Sequence, residues 1–116
     1  MKFMIMVFGD EANLHAKPPE WAASTTAFMA KLDDELALSG ELVFSEVLED
    51  GHHATLVDRH RGVHRGSIAG RGSPLSRFWV VTVADERRAL DIAGSIAEVI
   101  GGAVEVREIR QGSQRP

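Results

Sequence analysis

Two short segments set the terms for any fold this chain adopts. KFMIMVF (2–8) and FWVVTV (78–83) are strand-length runs, the first closed by Gly9. Strand alternation places Phe3, Ile5 and Val7 on one face of the first run, and Met4, Met6 and Phe8 on the other. Both faces are apolar, and FWVVTV reads the same way. A strand of this kind must be covered on both sides, so the chain needs a sheet with these two segments at its centre.

Two helices supply one layer of cover. Pro18-Pro19 is suited to a helix's first turn, and Trp21, Thr25, Phe28, Leu32 and Leu36 follow at three- and four-residue spacing. Gly40 is placed to end this helix as a left-handed cap. Asp85 is a good N-cap for 85–100, where Leu90, Ala93, Ile96, Ala97 and Ile100 form an apolar stripe stopped by Gly101-Gly102. Between the helices, ELVFSEVL (41–48) reads as a strand ending at the Asp50-Gly51 turn. ATLVDRH (54–60) and GVHRGSI (62–68) read as a hairpin turning at Arg61-Gly62, 69–76 as a loop, and AVEVREI (103–109) as a last strand.

The order is β-α-β-β-α-β with an extra hairpin, which predicts an α+β, ferredoxin-like sandwich. In that layout both helices pack on one side of the sheet. The other side shows Met, Val or Trp to water unless a second sheet covers it, so the chain is expected to form a homodimer through the sheet. Residues 1–110 are read as a single domain and 111–116, QGSQRP, as a polar tail.

The composition narrows the function classes. Of the 116 residues, none is cysteine, which excludes disulfides and thiolate metal sites and suits a reducing compartment. The start MKFMIMVFGDEA lacks the apolar length and cleavage site of a secretory signal, and no apolar run approaches a membrane span. A cytoplasmic protein without a membrane partner is expected. The net charge is −4, but residues 58–77 hold five arginines (59, 61, 65, 71, 77) and one acid, a local +4. An acidic remainder argues against a nucleic-acid binder and leaves a local anion site open.

The stretch GVHRGSIAGRGSPLSRFW (62–79) resembles a phosphate cradle in its glycines but not in its sequel. A phosphate loop leads into a helix N-terminus with Lys-Ser/Thr, whereas this one leads into a strand. It is read as a loop. Its flanking arginines, Arg65 and Arg77, suit a carboxylate or phosphate on a small ligand, or else a solvated hairpin edge that discourages aggregation. Asp10 ends the first strand, where a carboxylate can act as a general base or bond its own turn. His15, five residues on, is placed to pair with it and shuttle protons. His52, His53, His60 and His64 lack regular ligand spacing, so no metal and no cofactor are expected.

Several of these segments together resemble the YCII-related family of the DGPF type. The resemblance is carried by the opening MKFMIMVFGDEA, by Pro18-Pro19-Glu20, by Ser39-Gly40-Glu41-Leu42 and by the final GGAVEVREI at 101–109. It implies a ferredoxin-like fold that dimerises into an α/β barrel with a pocket between helix and sheet. In classical members an aspartate ending the first strand is paired with a histidine on the first helix. Asp10 matches the aspartate, and the histidine's place falls near Met29. In place of the Asp-Gly-Pro-Phe motif and its acidic residues, this chain reads HRGSIAGRGSPLSRF. The resemblance implies no defined activity. The function expected from the residues and the resemblance together is binding of a small anionic organic ligand and, if the protein is an enzyme, cofactor-free acid–base chemistry on it such as isomerisation, lysis or hydrolysis. Two alternatives are a regulatory module, as in members linked to sigma factors, and a monooxygenase of the dimeric α/β-barrel kind.

Overall fold

The computed structural model describes residues 1–9, 17–70 and 72–112. It is an α+β arrangement of six strands and two α-helices among those residues. The strands are β1 (Lys2–Phe8), β2 (Leu42–Val47), β3 (Thr55–Val57), β4 (Val63–Arg65), β5 (Leu75–Thr82) and β6 (Glu105–Glu108). The helices are α1 (Pro19–Leu38) and α2 (Glu86–Ile100), and a 3-10 turn covers Gly51–His53. No helix among the described residues is long and apolar enough to cross a membrane.

Four strands form an antiparallel sheet in the order β2-β5-β1-β6, and β3 and β4 form a separate two-stranded sheet. The central pair is β1 and β5, the two segments apolar on both faces. Their register sets Phe3 opposite Val81, Ile5 opposite Trp79 and Val7 opposite Arg77. Each helix connects strands that have one other strand between them. β5 starts at Leu75, three residues before the expected strand, because Leu75 pairs with Phe8 and Arg77 with Val7 of β1 and Val47 of β2 after the break at Pro74. The hairpin strands are conversely shorter than expected, with three residues each.

One face of the sheet and both helices enclose the core. Phe3, Ile5, Trp79, Val81 and Val83 meet Met29, Leu32 and Leu36 of α1 and Ala89, Ile92, Ala93 and Ile96 of α2. The stripe expected on α2 is rotated in the structure: Ile92 and Ala89 are buried, while Leu90 is 47 % exposed. Both helix ends follow from their cap residues. Asp85 accepts from Arg88 N–H at 3.0 Å at the start of α2, which satisfies one of the helix's free donors. At the end of α1, Gly40 at φ +79° lets its own N–H reach Ala37 O and the Glu41 N–H reach Leu36 O, the double bond of a Schellman cap.

Glu41 then ties the two helices together. Arg88 donates from Nε to Oε2 at 2.7 Å and from Nη2 to Oε1 at 2.9 Å, a two-pronged contact. These bonds hold the Glu41 carboxyl below the ordinary glutamate range, with Ser39 adding to them and burial working against them. A depressed folded pKa contributes stability above the ordinary carboxylate range and loses it as pH falls through the folded value. Glu41→Gln is therefore expected to cost about 1 kcal/mol at neutral pH and progressively less as pH falls through the folded value, read from urea midpoints at each pH.

The opposite face of the main sheet is also apolar. Register places Met4, Met6, Phe44, Phe78 and Val80 there. Met6 and Val80 are buried without belonging to the core cluster, Phe44 stands edge-on to Phe78, and Phe44 is 47 % exposed.

Candidate functional site

Arg77 is the polar residue that the fold treats most unusually. Its strand neighbours Val7 and Trp79 are core-facing, so alternation directs its side chain under α1 as well. A guanidinium taken out of water needs a counter-charge, and Asp33 on α1 supplies it. Asp33 Oδ2 accepts from Arg77 Nη2 at 3.2 Å and from Ser45 Oγ of β2 at 3.1 Å. Its Oδ1 accepts from the indole Nε1 of Trp79 at 2.7 Å. Trp79 has no exposed surface, so this bond satisfies its only polar atom. The guanidinium carbon lies 4.8 Å from the centre of the Trp79 ring, a cation–π contact that fixes its plane.

One donor of this arrangement is left over. Arg77 Nε is buried and has no hydrogen-bond partner among the described residues. Thr25 Oγ1, two turns before Asp33 on α1, is the other buried unpartnered side-chain atom found among the described residues. An orphaned buried donor costs on the order of 1–3 kcal/mol, so two such atoms in one helix–sheet layer call for an explanation. The layer ends where β1 runs out: Gly9 N–H donates to Pro74 O at 2.9 Å, and Asp10 is the next residue in the chain.

Asp10 and His15, and with them Arg71, lie outside the described residues. Arg65 is on the small sheet, where it lines an open hollow of about 470 Å³ with Asp50, His52, Ser67, three loop glycines and Pro74. Arg65 and Arg77 thus stand on different sheets. Met29, at the turn where the family's histidine was expected, is a core residue at 5 % exposure. Among the described residues no group of three or more His, Asp or Glu is placed to hold a metal.

The hairpin tip has a structural explanation of its own. Asp58 Oδ1 accepts from His60 N–H and Gly62 N–H, and Oδ2 is 2.9 Å from His64 Nε2. His64 first, and then these two N–H groups, hold the Asp58 carboxyl below its ordinary range. Arg61, at φ +65°, takes the left-handed position of the turn. Gly62 is required for space: a Cβ there would overlap the Asp58 carboxylate. This acid closes a turn.

Asp33 and Ser45 were not singled out in the sequence, although a signal existed. An arginine two residues before a buried tryptophan on a core-facing strand row demands an acid from the covering helix. Asp33 continues the row Thr25, Met29 at four-residue spacing. The chain matches no protein-family model, and no curated protein is significantly similar to it.

Proposed function

We propose that this chain is a YCII-related, ferredoxin-like protein that works as a homodimer and holds a small anionic organic ligand beside Arg77. The observation that carries the reading is the guanidinium itself. It is fixed in plane by Trp79, anchored at one end by Asp33, and left with a buried Nε–H that no group among the described residues uses. A carboxylate oxygen on Nε, with Thr25 Oγ1 in the same layer, matches the donors that are unused. Asp10, following the strand that pairs with Arg77, is the general base of this reading, and His15 its partner.

The strand order β2-β5-β1-β6 with both helices on one face supports the ferredoxin-like assignment. The apolar outer face, with Phe44 half exposed, supports a sheet-to-sheet dimer. A second reading, docking of the basic hairpin on an acidic partner, is favoured by the exposed Val57 and Val63 pair beside Arg59 and Arg61.

Native mass spectrometry of the purified protein, before and after mild desolvation, tests the first reading. The expected result is a dimer that carries a small-molecule mass in the wild type and none in Arg77→Lys. Lysine keeps the charge opposite Asp33 but has no Nε–H fork. A monomer, or a dimer with the same bound mass in both proteins, would remove the proposal. A clean dimer with nothing bound favours the docking reading.

A further inference from the structure

The hollow on the small sheet is built by three separate segments, and their joints are backbone contacts. Gly66 N–H donates to Ala54 O at 2.8 Å, which holds β4 against the end of the 3-10 turn. The turn itself closes through His53 N–H to Asp50 O and Ala54 N–H to Gly51 O. Gly51 lies so near Pro74 that an added Cβ would come within 2.8 Å of its ring. The glycine-rich loop therefore docks on the turn, which gives the hollow walls that a free loop lacks.

Two side chains on those walls, Arg65 and Ser67, present donors. Among the described residues the Arg65 side chain has no hydrogen-bond or ion-pair partner, and the residue is exposed, so its guanidinium fork is open. Ser67 Oγ accepts from Ala69 N–H, which leaves its own hydrogen to donate. The acid in the hollow, Asp50, is 10 % exposed, and its Oδ2 is occupied by the N–H of His52 and by its ring Nδ1 at 2.8 Å. That contact takes the Nδ1–H of the ring, so Nε2 of the neutral imidazole is an acceptor, suited to a ligand hydroxyl and not to a bare oxyanion oxygen. An arginine fork and a hydroxyl that donate, with an imidazole Nε2 that accepts, around a hollow larger than a phosphate group suit a singly protonated phosphate whose P–OH donates to His52.

We infer that this hollow binds the phosphate group of a phosphorylated small molecule, with Arg65 as the principal anchor and Ser67 and His52 as the second and third contacts. The site is independent of Arg77. It also differs from the helix-capped phosphate loop that the glycine pattern resembles: side chains, not helix N–H groups, hold the anion.

The test is a titration of the full chain with inorganic phosphate at constant ionic strength in chloride, followed by 15N–1H NMR. Saturable shifts are expected at the Arg65 Nε–H and at the Gly66, Ser67 and Gly70 amides. They should disappear in Arg65→Gln, an exposed substitution that leaves the fold intact, and persist in Arg77→Lys. Three results would overturn the inference: shifts that never saturate, shifts that survive Arg65→Gln, or shifts lost only in Arg77→Lys. The last assigns the anion to the helix–sheet layer instead.

Discussion

Trp79→Ala is expected to lower stability by about 4 kcal/mol, a large share of what a domain of this size possesses. Two effects combine. The largest fully buried side chain disappears from the centre of the sheet, and the carboxylate of Asp33 loses the indole donor at 2.7 Å. Trp79→Phe separates them, since it keeps most of the apolar contact and removes only the N–H. A loss of about 2 kcal/mol in that variant is the signature of an orphaned, partly buried acceptor. Urea unfolding followed by circular dichroism reads both numbers. If Trp79→Phe is as stable as the wild type, the Asp33 network is not what positions Arg77.

A charge at Phe44 is expected to act on assembly, not on folding. Phe44 is 47 % exposed and contacts Phe78 edge-on at 5.6 Å on the face away from the helices. In a sheet-to-sheet dimer it is covered by the second copy, and symmetry places two glutamates in the interface at once. Burying unpaired carboxylates costs several kcal/mol, so Phe44→Glu should weaken the dimer by a factor of ~100 or more while far-UV circular dichroism stays unchanged. Sedimentation equilibrium measures the shift. An unaltered dimer would place the interface elsewhere, and a wild-type monomer would refute the assembly outright.

The sequence was most informative where one physical requirement dominates. Residues 2–8 and 78–83 alternate apolar on both faces, and only central strands satisfy that. Asp85 and Gly101 mark the ends of α2 because free helix donors and a left-handed cap each suit few residue types. Legibility fell where two requirements compete. Pro74 and the glycines before it masked the first residues of β5, whose pairing with β1 outweighs local turn chemistry. On α2 the expected stripe includes Leu90, but packing turns the helix so that Ala89 and Ile92 face the sheet and Leu90 does not.

The site was less legible still, because it depends on contacts between distant positions. Arg77 was visible as a candidate, yet its partner is 44 residues away on a helix. Nothing local distinguishes Asp33 from Asp34 beside it, since a residue's inward or outward turn is set by helix phase and not by residue type. The pairing of Arg65 and Arg77 around one loop likewise followed from proximity in sequence. The two belong to different sheets.

The most direct measurement is 15N–1H NMR of the Arg77 Nε–H and the Trp79 indole N–H during titration with small organic carboxylates. The account predicts that at least one carboxylate moves both signals in a saturable way, because a single ligand oxygen on Nε must also perturb the ring beneath it. It predicts that Arg65 stays still. Signals from Arg77 and Trp79 that remain fixed across the series, or a response confined to Arg65, would contradict a ligand site between helix and sheet.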